Sequence, residues 1–162
     1  MYENEPICKK CGGVCCNRSP GIAHPDDFGL PDETQLIAAL KSGLWAIDWW
    51  EGDPRDGKDE LLRGFYVRPA EKGNEGRLYD GSWGHKGCTF LTPTGCTLPA
   101  EKRPQQCQLL EPRGGDAPCI GHGESEKHDY AIAWLPYWAL LDSMDERLRD
   151  VGRRWRNGNK DI

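Results

Sequence analysis

The spacing of apolar residues gives this chain one long amphipathic stretch and several short ones. From Ser125 onward, Trp134, Tyr137, Trp138, Leu141, Met144, Leu148, Val151 and Trp155 recur at steps of three or four, the period of one helix face. Pro136 lies within that run, where its ring and missing N–H oppose a continuous helix. The pattern therefore predicts a kink or a helix pair, the second member starting near Pro136. A shorter helix is predicted in "PDETQLIAALKSG", with Asp32 as N-cap, apolar Leu36, Ile37, Ala39 and Leu40, and Gly43 as the stop. The next stretch, "WAIDWWEGDPRDGKDE", breaks into turn residues. "LLRGFYVRPA" then reads as a strand, and "EKGNEGRLYDGSWG" as loop around a small sheet.

Two further segments have local geometry written into them. In "CTFLTPTGCTLP" two short runs, each opening Cys-Thr, flank the turn-prone Thr-Pro-Thr-Gly, which predicts a hairpin that brings Cys88 near Cys96. In "KRPQQCQLLEP" Pro104 suits the first position of a helical turn, and Cys107 sits three residues on. Free backbone N–H groups are expected there, and they would favour a thiolate.

With 20 glycines and 12 prolines in 162 residues, much of the chain is expected to be irregular and its apolar core small. A small core needs cross-links or metals to offset the entropy of ordering so many loops. The fold class expected is α+β: a small, loop-rich domain stapled by metal-cysteine sites, with a short β-hairpin and a C-terminal helix pair. Residues 1–162 read as one domain, with an insertion at about 26–82 between two cysteine blocks.

Charge and compartment narrow the function. The net charge of -5 disfavours a nucleic-acid partner. No run of about 18 apolar residues marks a membrane span. The first ten residues set Glu3 and Glu5 where a secretion signal is basic, and no apolar stretch of seven or more follows, so a cytoplasmic protein is expected. In a reducing compartment, clustered cysteines are metal ligands more readily than disulfides. Basic residues gather at the C-terminal end (Arg147, Arg149, Arg153, Arg154, Arg156 and Lys160), where they suit the helix dipole or form a docking face with Trp155. "WAIDWWEGD" sets Trp45, Trp49 and Trp50 among carboxylates and is the other candidate surface for a protein partner.

The chemistry centres on eight cysteines: Cys8, Cys11, Cys15 and Cys16, then Cys88, Cys96, Cys107 and Cys119. Cys-x2-Cys spacing lets one turn present two sulfurs to one centre, for zinc or for an iron-sulfur cluster. Adjacent Cys15 and Cys16 point apart, so they suit different centres, or one of them is not a ligand. A disulfide framework and a scatter of buried cysteines are the alternatives. His85 and His122 each stand three positions from a cysteine and are secondary ligand candidates, whereas His24 and His128 read as surface or capping residues. No nucleophile elbow, Walker loop, dinucleotide fingerprint or His-Glu-x-x-His is present, so no catalytic class is indicated.

In order and type these motifs resemble the YkgJ-like cysteine-cluster family, described as zinc- or iron-chelating. The likeness rests on the Cys8, Cys11, Cys15, Cys16 cluster, "CTFL" at Cys88, "GC" at Cys96, "RPQQC" ending at Cys107, and Cys119. It implies metal binding by all eight cysteines, with zinc or a [4Fe-4S] cluster as the cofactor. Some relatives are linked to lysine methylation of flagellin. The leading expectation is a structural or interaction module whose bound metal supplies folding energy. An iron-sulfur redox or group-transfer protein of the protein-methylation type is the second, and a subunit of a larger particle or nucleoprotein assembly the third.

Overall fold

In a computed structural model of the chain, residues 21–51, 63–81, 86–93, 95–108 and 124–150 are described. A 3-10 turn at Pro25–Phe28 precedes helix α1 (Thr34–Lys41), strands β1 (Trp45–Glu51) and β2 (Arg63–Pro69), and a small hairpin of β3 (Leu91–Thr92) and β4 (Gly95–Cys96). After a 3-10 turn at Ala100–Lys102 come α2 (Gln105–Gln108), α3 (Glu124–Ala133), a 3-10 turn at Leu135–Tyr137, α4 (Trp138–Asp142) and α5 (Met144–Asp150). The class is α+β, with two separate antiparallel sheets of two strands each.

The β1–β2 ribbon is the centre of the molecule, in register from Trp45↔Pro69 to Glu51↔Arg63. Both edges of the ribbon are occupied. Along β1, the Ile47 N–H donates to Leu78 O at 2.7 Å and the Asp80 N–H to Ile47 O at 2.9 Å; along β2, the Ala23 N–H donates to Val67 O at 2.9 Å. Both faces are covered as well, since Ala46, Ile47 and Asp48 in succession are at most 1% exposed. This corrects the expectation that "WAIDWWE" is turn: a strand buried on both faces has no polar alternation to read. Of its tryptophans, Trp45 stacks edge-on to Phe28 and tilted to Phe90, Trp49 lies over Gly81, and Trp50 packs against the main core.

That core joins Ile22, Phe28, Leu36, Leu40, Ile47, Val67, Leu78, Trp134, Leu141, Met144 and Leu148 with their buried neighbours and, among the described residues, contains no cysteine. Five of these eleven, Ile22, Trp134, Leu141, Met144 and Leu148, come from outside the segment 26–82, but the ribbon and α1 within that segment supply its middle. Helix α1 starts one residue later than expected, with Glu33 rather than Asp32 at the N-cap position and no side-chain cap bond from it; Asp32 accepts from the Thr34 N–H at 3.0 Å, and Gly43 ends the turn at φ 78°. The C-terminal run breaks at Pro136 as its sequence predicts and again at Ser143, which no sequence signal marked. There the Ser143 hydroxyl bonds Leu140 O at 3.0 Å, competing with the helix backbone.

Tyr79 fastens the ribbon to this helical layer. Its hydroxyl donates to Leu141 O at 2.5 Å and reaches Asp142 O at 3.1 Å, carbonyls of the last turn of α4. Burial pushes that hydroxyl up to about 12. A folded-state value above the unfolded one means stability that is complete below pH 10 and lost as pH rises toward 12. Tyr79→Phe is expected to lower stability at pH 8 by about 1 kcal/mol. It also flattens the fall between pH 10 and 12, as urea melts across that range would record. An unchanged slope in the variant would contradict this role.

Candidate metal centre

The hairpin places two of the predicted ligands together. Leu91 pairs with Cys96 and Thr92 with Gly95, while the Leu91 N–H returns to Cys88 O at 3.0 Å. A second bridge, Glu71↔Cys88, fixes the base of the hairpin to the chain leaving β2, with the Thr89 N–H on Ala70 O and the Lys72 N–H on Gly87 O, both at 2.9 Å. Gly95 holds φ at 121°, a conformation that suits glycine and lets Cys96 follow the turn directly. Cys88 is 7% exposed and shares a small apolar cluster with Phe90 and Leu91, against which Trp45, Cys96 and Leu98 pack. Both Cys88 and Cys96 are free thiols.

The electrostatics at Cys88 are those of a sulfur that needs a cation to ionise. Burial pushes the Cys88 thiol up to about 12, and the neighbouring Cys96 adds to the shift. A hydrogen bond from the Phe90 N–H and the charges of Arg68 and Lys72 act in the opposite direction. Such a thiol is a poor nucleophile at neutral pH. As a donor set, two neighbouring sulfurs, one of them already taking an N–H bond, fit half of a tetrahedral thiolate site.

Cys107 is placed by the "RPQQC" run, and each residue of that run has a structural task. Arg103, buried, donates from Nε to Leu98 O at 2.9 Å and so ties the hairpin to α2. Pro104 starts the turn, its carbonyl accepting from the Gln108 N–H at 3.1 Å. The Gln105 N–H donates to Asp27 Oδ2 at 2.8 Å. The Asp27 carboxylate also accepts from the His24 N–H, and His24 Nδ1 accepts from the Asp26 N–H, so His24 is the capping residue its sequence context suggested. Gln106 meets Ile22 twice: its Oε1 accepts from the Ile22 N–H at 2.8 Å, and its own N–H donates to Ile22 O at 3.2 Å. Cys107, half-buried, rests its sulfur on Gly21, where an added Cβ would come within 2.2 Å of Sγ.

These bonds correct one expectation. The N–H groups of Gln105 and Gln106, predicted to be free to favour a thiolate at Cys107, are engaged with Asp27 and Ile22. They position the turn instead.

Cys8, Cys11, Cys15, Cys16 and Cys119 lie outside the described residues, as do His85 and His122 and the side chain of His128. Among the described residues no three cysteine, histidine or carboxylate groups converge on one point, and no helix is long and apolar enough to cross a membrane. Of the basic C-terminal residues, Arg147 pairs with Glu33, whereas Arg153, Arg154, Arg156 and Lys160 lie outside the described residues.

Sequence reasoning missed the buried polar group beneath the hairpin base. Arg68, 1% exposed, donates to Asp48 Oδ2 at 2.9 Å, to Pro69 O at 3.0 Å and to Asp80 O at 2.7 Å. Asn74 donates to Asp80 Oδ2 at 3.1 Å. Burial works against the charged guanidinium and Asp48 works for it, and the balance holds Arg68 above its ordinary value. Gln106 and Gly21 were missed too; the only signal was that they lie beside Cys107 and beyond Cys16. Compared with protein-family models, curated proteins and solved structures, the chain matches none.

Proposed function

We propose that this chain is a metal-binding cysteine-cluster module of the YkgJ-like kind, holding zinc or an iron-sulfur cluster in a reducing, cytoplasmic setting. The observation that carries the reading is the junction at "RPQQC". One short turn is bonded to the hairpin that bears Cys88 and Cys96 and to the segment at Gly21–Ile22, which follows the Cys8–Cys16 block by five residues. Chain of that length spans at most about 18 Å, which bounds how far Cys16 can stand from Gly21. Cys88 and Cys96 would supply two donors, with Cys8, Cys11, Cys15, Cys16, Cys107 and Cys119 as the remaining candidates. The metal would supply a cross-link between loops that bury little apolar surface. Protein partners would meet the basic C-terminal end, where Arg147 is exposed.

Among the described residues the main core contains no cysteine, so metal would stabilise chiefly the hairpin and α2. Elemental analysis and an absorption spectrum of protein purified without oxygen test the reading. Zinc without a visible band is expected for a structural centre; iron with a broad visible band would move redox or group-transfer chemistry forward. Chelation is expected to lower the melting temperature while far-ultraviolet circular dichroism keeps most of its helical signal. A reduced chain that binds neither metal would sink the proposal.

A further inference from the structure

The turn at Pro25–Phe28 is tied down by two ionisable side chains that share a reciprocal cap. His24 Nδ1 accepts from the Asp26 N–H at 3.1 Å, and Asp27 Oδ2 accepts from the His24 N–H at 2.9 Å. The same Asp27 oxygen accepts from the Gln105 N–H at 2.8 Å, which joins the turn to α2 across 78 residues of chain. A main-chain N–H can only donate, so the bond at Nδ1 requires an imidazole with its lone pair there and its proton on Nε2. Imidazolium has no such lone pair. A replacement partner is already in place, because the Asp26 carboxylate stands 3.5 Å from Nδ1. The His24 side chain is 28% exposed, so protons reach the ring from solvent. Among the described residues, the groups that face it are Asp26 and Asp27 on its own turn and, from α3, the Tyr130 ring, edge-on at 6.4 Å.

We propose that His24 and Asp27 form a proton-operated latch between this turn and α2. Histidine ordinarily changes charge between about pH 5 and 8. Above that window His24 caps the Asp26 N–H. Below it, Nδ1–H donates to the Asp26 carboxylate instead, and the Asp26 N–H is released. Asp27 answers in the opposite sense. Burial holds its carboxyl above the usual carboxylate range, while the bonds from the His24 and Gln105 N–H groups and the charge of His24 act against burial. An imidazolium beside it therefore keeps Asp27 ionised as the pH falls, and a carboxylate is a stronger acceptor for the Gln105 N–H than a carboxylic acid is. The latch thus opens in order: the cap on Asp26 goes first, and the clamp on α2 loosens only at lower pH, when Asp27 takes a proton. It needs no metal, and it stands or falls independently of the metal-binding reading.

An NMR titration of the full, reduced, ¹⁵N-labelled chain from about pH 8 to pH 4 tests the latch, since it spans the ordinary histidine and carboxylate ranges. In the wild-type chain the ring nitrogens of His24 are expected to show the Nε2–H tautomer at the alkaline end. The Asp26 amide proton is expected to move upfield along the same curve as the His24 ring, and the Gln105 amide to move only at lower pH. His24→Asn keeps an N-cap acceptor that does not titrate. In that variant the Asp26 amide is expected to stay still across the histidine range, and the Gln105 transition to shift to higher pH because the imidazolium is gone. Asp27→Asn is expected to abolish the Gln105 transition and leave the coupling of Asp26 to His24 intact. An Nδ1–H tautomer at the alkaline end, or an Asp26 amide that ignores the His24 titration, overturns the latch without recourse to any variant. A Gln105 transition unmoved in folded His24→Asn overturns the ordering of its two steps.

Discussion

Trp134→Ala is expected to lower the unfolding free energy by about 3 to 5 kcal/mol, the range for deleting a large aromatic from a packed core. Trp134 is fully buried, heads the largest enclosed side chains, and packs its ring against Phe28 and Tyr137. Its indole N–H also donates to Ala23 O at 2.8 Å. The substitution therefore opens a cavity and leaves a buried carbonyl without that donor. Trp134→Phe keeps most of the volume and loses only the N–H, so it separates the two effects; its expected loss is about 1 to 3 kcal/mol. Urea melts followed by circular dichroism measure both. A loss below about 1 kcal/mol for the alanine variant would mean that the helical layer does not rest on this ring as the geometry requires.

Arg68→Met is expected to destabilise by about 3 to 5 kcal/mol, because it removes one partner of a buried ion pair and leaves the other in place. The guanidinium spans Asp48, the Pro69 carbonyl and both the carbonyl and, at 3.7 Å, the carboxylate of Asp80. Asp48 opposes Tyr66 in the ribbon, and both are almost fully enclosed. Lysine cannot reproduce this fork, so Arg68→Lys is expected to recover little. Adding Asp48→Asn to Arg68→Met removes one of the stranded charges and is expected to return about 1 to 3 kcal/mol. A double-mutant cycle on urea midpoints gives that coupling. Independent, additive losses would show that the pair contributes through packing alone. The cluster also adjoins the hairpin base, where the Arg68 charge acts to lower the Cys88 thiol against the effect of burial.

The sequence by itself determined the features whose causes are local. The helix at Thr34–Lys41 follows from its apolar spacing and from Gly43, and the hairpin from Thr-Pro-Thr-Gly between two Cys-Thr runs. The turn before Cys107 follows from Pro104, and the break in the C-terminal run from Pro136. Each needs only residues within one turn of chain. Tertiary structure decided what depends on partners far along the chain. Trp45–Glu51 is a strand because β2 pairs along its length and residues 78–80 along its other edge, with Ala46, Ile47 and Asp48 enclosed in succession, which erases the alternation a half-exposed strand would show. Asp48 reads as a turn carboxylate until Arg68, 20 residues away, stands beside it. Gln106 and Gly21 carry no chemistry of their own. They matter because folding brings them to the same place, where one accepts the Ile22 N–H and the other leaves room for the Cys107 sulfur.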